Sequence, residues 1–226
     1  MSGNVHLSES KWDRAKTLAL SAAAITITLF VATVALSTAA LAQQSSYNYG
    51  YFVNANTSGF PDADMYVVNP GSTGGKSPTG DLCANIYVFS PAQVIQECCS
   101  CKVTPDALTT FSLNTNLTND PLQAATLHTG AIKVVSSAVP ASATAATTCK
   151  NVAASSYTPS GYLGIWITHV HVANGTYSKS ETSFLPGILS TPNTPAANTE
   201  LAQLQTLCSL ILAQGSGFGI CTCPSE

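Results

Sequence analysis

Three histidines beyond residue 42 have the greatest potential for metal chemistry: His128, His169 and His171. Side chains two residues apart on a strand point to the same face, so His169 and His171 can act together. With His128 they would offer three imidazoles to zinc or copper. No local spacing fixes a third ligand, however, and alternating histidines also fill the polar side of a strand. That second interpretation is favoured, so we expect no metal and no other cofactor.

Other catalytic or binding patterns are incomplete. Residues 71–77 read Gly-Ser-Thr-Gly-Gly-Lys-Ser but lack the spacing of a phosphate-binding loop, and we expect a flexible solvent loop there. Asp62 and Asp64 lie near Asn54 and Asn56, but the glycine and the closing glutamate of a calcium loop are missing, which favours an Asx-rich turn. The chain has no Gly-x-Ser-x-Gly motif. These patterns predict a protein that is not an enzyme.

The cysteines are the clearest chemical signal. An even number of cysteines in an exported chain predicts disulfide bonds. A thiolate metal site in residues 98–101 and 221–223 is the alternative, but its clusters are tighter than the usual zinc spacing. Cys98 and Cys99 are adjacent and point to opposite faces of a strand, so we expect them to have different partners. The eight cysteines are Cys83, Cys98, Cys99, Cys101, Cys149, Cys208, Cys221 and Cys223.

The pairing of these cysteines stays open at the sequence level, because four bridges allow about 105 arrangements. The two clusters do suggest that the segment around residue 100 meets the C-terminal tail. Cys208 is expected nearby, on the buried side of a helix.

The charge content restricts the partners. Only 8% of the residues are charged, whereas a typical globular domain has about 25%. No arginine follows residue 42, so there is no bidentate phosphate fork and no basic stripe. We therefore exclude nucleic acid as a partner. A hydroxyl-rich surface of low charge suits packing against copies of the chain, a wall or a glycan.

The first 42 residues have the pattern of an export signal. Lys11, Arg14 and Lys16 precede an uncharged and mostly apolar run, and Ala40-Leu41-Ala42 has the small-x-small pattern of a cleavage site. An uncleaved membrane anchor is the alternative, because the run is long enough to span a bilayer. In both cases the basic residues direct the rest of the chain outward. We expect residues 1–42 to be a signal peptide or N-terminal membrane anchor and residues 43–226 to form one disulfide-stabilised β domain.

Alternating and apolar runs predict several strands. Tyr47, Tyr49 and Tyr51 alternate on one face of the first strand, and residues 82–89 are apolar on both faces, as in a buried central strand. Asn174-Gly175 predicts a type I′ hairpin turn. The predicted strands are 47–53, 82–89, 93–99, 109–113, 131–137, 162–172 and 176–184, and residues 139–148 and 186–197 are expected to be exposed connections.

One helix is predicted near the end of the chain. Leu201, Leu204, Cys208 and Ile211 recur at helical spacing, with Asn198 or Thr199 as the start and Gly215 as the end. A disulfide at Cys208 would fasten this helix to a sheet. The fold class expected is mainly β: an antiparallel β-sandwich with one C-terminal α-helix, stapled by disulfides.

Several segments resemble a group of uncharacterised exported proteins of soil bacteria, rich in cysteine. The resemblance lies in Asp81–Phe89, in the Glu97-Cys98-Cys99-Ser100-Cys101 motif, and in residues 103–105 and 113–118. It also touches residues 130–137 and 217–223, and it covers about half of the chain after residue 42. The group has no assigned activity, so the resemblance implies a defined domain family and transfers no site residues.

Three functions fit this sequence. The leading one is a structural or adhesive cell-envelope protein without catalysis, one version of which self-assembles by adding residues 47–53 to a neighbour's sheet edge. It is more plausible that this segment is the first strand of its own sheet. The alternatives are a module that binds an extracellular glycan or another envelope component through exposed tyrosines and Trp166, and a secreted metalloprotein that uses the three histidines. The partner would be a second copy or an envelope glycan, with no membrane contact beyond the leader, and the location would be secreted, periplasmic or cell surface.

Overall fold

The computed structural model describes residues 46–71, 80–123, 125–139, 149, 154–189, 195 and 198–224. The predicted leader, most of the glycine-rich loop after Gly71 and the stretch 140–148 lie outside the described residues. Within the described residues, no helix has the length and apolar character needed to cross a membrane.

In the described residues, nine strands form two antiparallel sheets that pack together, so the predicted β-sandwich is confirmed. Sheet A has the strand order β4-β3-β6-β1-β9, and sheet B has the order β5-β2-β7-β8. The strands are β1 Ser46–Phe52, β2 Asp64–Val68, β3 Leu82–Phe89, β4 Ile95–Val103, β5 Leu108–Ser112, β6 Gly130–Ala138, β7 Gly164–Ala173, β8 Thr176–Ser183 and β9 Leu185–Ile188.

The predicted helix is confirmed as α1, Glu200–Gln214. The Thr199 side chain accepts a hydrogen bond from the Ala202 backbone N–H, which caps the first turn. Gly215 ends the helix in the left-handed conformation, with φ of 63°. Both ends of the helix follow from local residue chemistry.

Two short strands were not predicted. β2 begins at Asp64, which was expected in an Asx-rich turn, and no strand was expected over Asp64–Val68. β9, Leu185–Ile188, lies mostly in the stretch 186–197, which was expected to be an exposed connection because it is rich in proline and alanine. β9 tolerates Pro186 because it is the edge strand of sheet A.

The predicted strand limits also change in the middle of the chain. β4 extends to Val103 rather than ending at Cys99. β5 stops before Leu113, where a π-helix over Leu113–Leu117 begins with the Ser112 side chain as its cap. The hairpin at Asn174-Gly175 is confirmed, with both residues at positive φ.

Sheet A lies between two apolar clusters. On β3, Leu82, Ala84, Ile86 and Val88 face the cluster between the sheets. Tyr87, on the opposite face of β3, belongs to a second cluster that includes Leu204 and Cys208 of α1. The prediction that residues 82–89 form a central strand buried on both faces is therefore confirmed.

All eight cysteines form disulfides. The pairs are Cys83–Cys149, Cys98–Cys208, Cys99–Cys221 and Cys101–Cys223. Cys98 fastens α1 to the outer side of sheet A, whereas Cys99 bonds to the tail from within the inter-sheet cluster. The expectations that the adjacent cysteines have different partners and that Cys208 clamps the helix are both confirmed.

The first strand lies inside its own sheet. β1 pairs antiparallel with β6 on one side and with β9 on the other. β6 covers Asn48–Phe52 on one edge and β9 covers Ser46–Tyr49 on the other, so the segment 47–53 forms the first strand of its own sheet.

Candidate binding face

Two of the candidate histidines make separate local contacts. The Nδ1 atom of His128 lies 2.9 Å from the Ala55 carbonyl oxygen. The Nε2 atom of His171 lies 2.7 Å from the Ser180 hydroxyl oxygen. Within the described residues, no group of three or more histidine, cysteine or acidic side chains is placed to hold a metal ion.

The third histidine, His169, is buried and stacks on Tyr51. The two ring centroids are 4.5 Å apart and the ring planes differ by 24°. Neither ring nitrogen has a hydrogen-bond partner within the part of the chain that the structure describes. Burial lowers the pKa of His169, and the nearby His171 lowers it further. The neutral ring therefore fits this position better than the cation.

The two candidate calcium ligands have structural contacts of their own. Asp62 accepts hydrogen bonds from the backbone N–H groups of Ala63 at 2.8 Å and Asn114 at 3.2 Å. Asp64 lies in β2, and its carboxylate is 3.4 Å from the Lys179 ammonium. Asp62 thus lies in the irregular segment before β2 and Asp64 lies in the strand itself, so the expected Asx-rich turn is not observed at these two residues.

Glu97 is a titratable group that the sequence analysis did not single out. It is fully buried on β4, and one carboxyl oxygen accepts a hydrogen bond from the Asp120 backbone N–H at 3.0 Å. The other oxygen has no partner among the described residues. Burial raises the pKa of Glu97 to about 8, with a further rise from the Asp120 charge and an opposing effect from the backbone hydrogen bond.

The described residues form two open clefts away from the outer face of sheet B. A cleft of about 570 Å³ runs between α1 and sheet A, where Lys133 and Glu200 form an ion pair. A second cleft, of about 400 Å³, is lined by amide side chains, including Asn56 and Asn114, and by exposed Phe218. In this second cleft the Asn56 side-chain amide donates a hydrogen bond to the Thr118 hydroxyl at 2.8 Å, so part of the polar lining is already bonded.

The outer face of sheet B differs from both clefts, because two aromatic side chains lie side by side on neighbouring strands. Tyr66 of β2 pairs directly with Trp166 of β7. Thr110 of β5 flanks Tyr66, and Ser183 of β8 flanks Trp166. Side chains of directly paired residues project to the same side of a sheet, so these four form one row across it. We call this row, with Gly164 beside it, the aromatic face.

The indole of Trp166 lies along the sheet. A Cβ atom at Gly164 would come within 2.9 Å of the indole six-membered ring, so the ring occupies the space above this glycine. Residues two apart on a strand share a face, which is why Gly164 can receive the ring. The side chain of Trp166 is nevertheless 37% exposed, so one surface of the indole remains open to a ligand.

Among the described residues of sheet B, the Asp, Glu and Lys side chains all lie to one side of the aromatic face. Asp64 and Glu181 lie in the row next to it, and Lys179, which bonds to Asp64, lies one row further along β8. On the other side the row of Thr110, Tyr66, Trp166 and Ser183 is followed by Leu108, Val68 and Gly164, which carry no charge. The arrangement can bind a flat, uncharged ligand that has both C–H surfaces and hydroxyl groups.

Sequence reasoning identified Trp166 and missed Tyr66. The signal for Tyr66 was the apolar run of β2, in which Met65 and Val67 are buried and alternate with partly exposed residues. The role of Gly164 depends on the direction of the neighbouring indole and has no signal in the sequence.

Comparison with known proteins found no match to this chain. No family model matches the chain, no curated protein matches it, and no solved structure matches it. Function is therefore inferred from the residues of this chain alone.

Proposed function

We propose that this protein is an exported, non-catalytic adhesive protein of the cell envelope that binds an uncharged polysaccharide through the aromatic face. The observation that carries the proposal is the Tyr66–Trp166 pair, with the indole held over Gly164. The C–H groups of a sugar ring are weakly positive, and the face of an aromatic ring is negative. A sugar ring therefore stacks well on a flat, exposed aromatic side chain.

The spacing of the pair suits a chain of sugars better than a single one. Neighbouring strands lie about 4.8 Å apart, which is close to the length of one sugar unit. Tyr66 and Trp166 can thus contact successive units. Thr110 and Ser183 flank them and can hydrogen-bond to the sugar hydroxyls.

The charges favour a neutral ligand over an anionic one. The row beside the aromatic face holds two carboxylates, Asp64 and Glu181, and the Lys179 ammonium comes from the row after it. That ammonium already bonds to Asp64 at 3.4 Å. Among the described residues of this surface, an acidic polysaccharide would find no arginine and no cluster of lysines, whereas a neutral one needs neither.

The disulfides support a location outside the reducing cytosol. Four bridges join the described residues, and such bridges persist in oxidising compartments. We propose that the protein is secreted, periplasmic or held at the cell surface, where polysaccharides are abundant.

Polysaccharide retention tests this proposal. The full chain with intact disulfides is incubated with neutral and anionic polysaccharides, and bound protein is measured by co-sedimentation or affinity electrophoresis. We expect retention on one or more neutral polymers. Trp166→Ala and Tyr66→Ala should each weaken it about tenfold or more, as for a central aromatic contact.

Phe218→Ala is the matched control, because Phe218 is an exposed aromatic residue outside the aromatic face. It should bind like the unchanged protein, and all variants should have equal thermal stability. The proposal fails if no neutral polysaccharide is retained, or if Trp166→Ala is retained as strongly as the parent.

A further inference from the structure

β8 is a long edge strand that is open on one side. It spans Thr176–Ser183, all eight residues are exposed, and within the part of the chain that the structure describes it pairs only with β7. The unpaired edge of such a strand presents backbone N–H and C=O groups that can bond to another strand. β8 is therefore a potential interface.

The other sheet edges among the described residues are less available. The edge of β4 is bonded to the tail, since the Cys98 backbone N–H donates to the Gly219 carbonyl at 2.9 Å. β9 has only four residues and contains Pro186, which has no N–H to donate. β5, the other edge of sheet B, has five residues. β8 offers the longest run of unpaired backbone.

The hairpin determines which residues of β8 face outward. The two-residue turn Asn174-Gly175 closes on the pair Ala173 and Thr176, which exchange backbone hydrogen bonds in a type I′ hairpin. Hydrogen-bonded and non-bonded pairs alternate along an antiparallel ladder. The backbone groups that point away from β7 therefore belong to Tyr177, Lys179, Glu181 and Ser183.

We propose that β8 pairs antiparallel with β8 of a second copy of this chain, with Ser180 on the two-fold axis. In this register Lys179 lies opposite the second copy's Glu181, and symmetry repeats the pair. Outward-facing residues meet outward-facing residues, as an antiparallel ladder requires. Opposite charges placed directly across a ladder stabilise it, and like charges destabilise it.

The neighbouring registers are disfavoured by the same charges. An axis through Lys179 would place two lysines opposite each other, and an axis through Glu181 would do the same with two glutamates. A lysine alone on an edge strand usually prevents strand addition. Here Glu181, two residues further along the strand, compensates the charge of Lys179. It does so only in the register with Ser180 on the two-fold axis.

Pairing in this register would also extend the aromatic face. Tyr177 would lie opposite the second copy's Ser183, which pairs with Trp166 of its own chain. Tyr177 is 49% exposed, and its side chain projects to the same side of sheet B as Lys179. The row would then run through Tyr66, Trp166 and Ser183 to a tyrosine of the second copy, which pairs with Val172 of its own chain.

Charge reversal tests the pairing without any glycan. The molar mass of the full chain is measured by sedimentation equilibrium over a range of concentrations, and we expect a dimer. Lys179→Glu and Glu181→Lys should each weaken the dimer at least tenfold, because both ion pairs become repulsive. The double variant Lys179→Glu/Glu181→Lys should restore it, since the opposite charges return in the same register.

Mixing provides the sharpest arm of this experiment. In an equimolar mixture of Lys179→Glu and Glu181→Lys, each chain has the charge that the other lacks, so a heterodimer should form although neither variant dimerises alone. A monomer in the parent protein, or a double variant as monomeric as the single ones, would overturn the proposal.

Cross-linking checks the position of the two-fold axis. Ser180→Cys should form a disulfide between two copies, whereas Ser178→Cys should not, because Ser178 would face the second copy's Thr182. Equal cross-linking of both variants would reject the register. These readouts are independent of polysaccharide retention, so the two proposals can fail separately.

Discussion

Sheets A and B have similar strand content but are stabilised in different ways. Every disulfide has at least one cysteine in sheet A, on β3 or β4, whereas the strands of sheet B contain no cysteine. Sheet A contributes to apolar clusters on both of its faces, and sheet B contributes mainly to the cluster between the sheets. Sheet A therefore acts as the scaffold, and sheet B presents the exposed surface.

This difference suggests why a chain of such low charge remains folded while it exposes aromatic residues. Cross-links restrict the unfolded chain and so stabilise the fold without any contribution from the outer face of sheet B. The residues of that face can then be selected for binding. We expect substitutions in sheet A to change stability and substitutions on the aromatic face to change binding.

The largest expected effects come from removing the disulfides in pairs. Cys83→Ser/Cys149→Ser should cost about 4 kcal/mol, because this bridge closes a loop by itself, with a sequence separation of 66. Cys98→Ser/Cys208→Ser should cost about 3 kcal/mol, since with Cys99–Cys221 intact it closes a loop of only about 15 residues. Urea unfolding under non-reducing conditions measures both losses.

The remaining bridge provides the internal control. Cys101–Cys223 lies beside Cys99–Cys221 and closes a ring of only about 5 residues once that neighbour has formed. We expect Cys101→Ser/Cys223→Ser to cost about 2 kcal/mol. If its loss equals that of Cys83→Ser/Cys149→Ser, loop closure is not the source of the stabilisation.

The next effect is the pH dependence that Glu97 gives to sheet A. The pKa of Glu97 is raised from 4.5 to about 8 in the folded protein, so the folded state binds a proton that the unfolded state releases in this range. Its contribution is fully present below pH 4.5 and is lost as the pH rises towards 8. Each pKa unit corresponds to about 1.4 kcal/mol, and local opening around Asp120 limits the loss, so we expect about 3 kcal/mol.

Glu97→Gln separates this effect from other titrations. The amide keeps the shape of the side chain and has no proton to lose, so the variant should be more stable than the parent at pH 9, and the difference should shrink or reverse at pH 5. Denaturant unfolding across this range is the measurement. Parallel stability curves for the two proteins would show that Glu97 is not protonated in the folded state.

Two glycines allow a matched comparison of the sheets. In sheet A, a Cβ atom at Gly130 would lie 2.2 Å from the Phe89 carbonyl oxygen, so the backbone must move. In sheet B, a Cβ atom at Gly164 would meet only the movable indole of Trp166, at 2.9 Å. We expect Gly130→Ala to cost about 2 kcal/mol and Gly164→Ala less than about 1 kcal/mol.

Binding should show the reverse order. Gly164→Ala displaces the indole from its position over the strand, so polysaccharide retention should fall, whereas folded Gly130→Ala should bind normally. If Gly164→Ala loses stability but not retention, the glycine serves packing and not the aromatic face.

The parts of the fold that sequence analysis predicted are those with local causes. The two apolar faces of β3, the turn at Asn174-Gly175 and the caps at Thr199 and Gly215 each depend on residues within one element. The opposite directions of Cys98 and its neighbour in sequence follow from strand geometry alone. Each of these predictions needed no knowledge of the rest of the chain.

The missed parts depend on contacts between distant residues. β9 is a strand because it pairs with β1, and its own residues include Pro186 and Gly187. β2 is held between β5 and β7, which are remote in sequence. Tyr66 lies on β2, and because this strand was not predicted, Tyr66 was missed although Trp166 was named. The disulfide pairing is non-local in the same way.

The smallest expected effect is a loss of folding stability at acid pH that comes from His169 on β7 of sheet B. His169 has a lowered pKa because it is buried and lies near His171, so the folded state binds fewer protons than the unfolded state below the ordinary histidine range. The stabilisation from His169 is present above pH 6.5 and is lost as the pH falls through the folded pKa. We expect a decrease smaller than that of Glu97.

His169→Phe keeps an aromatic ring against Tyr51 and cannot be protonated. Its stability should change less than that of the parent between pH 7 and pH 5, while exposed His128 and His171 remain in both proteins as the common background. A variant with the same slope as the parent would assign the acid sensitivity to other groups. Glu97 lowers the stability of the protein towards alkaline pH, and His169 lowers it towards acid pH. Glu97→Gln should therefore flatten the alkaline side of the stability curve, and His169→Phe should flatten the acid side. The two variants thus test sheet A and sheet B separately.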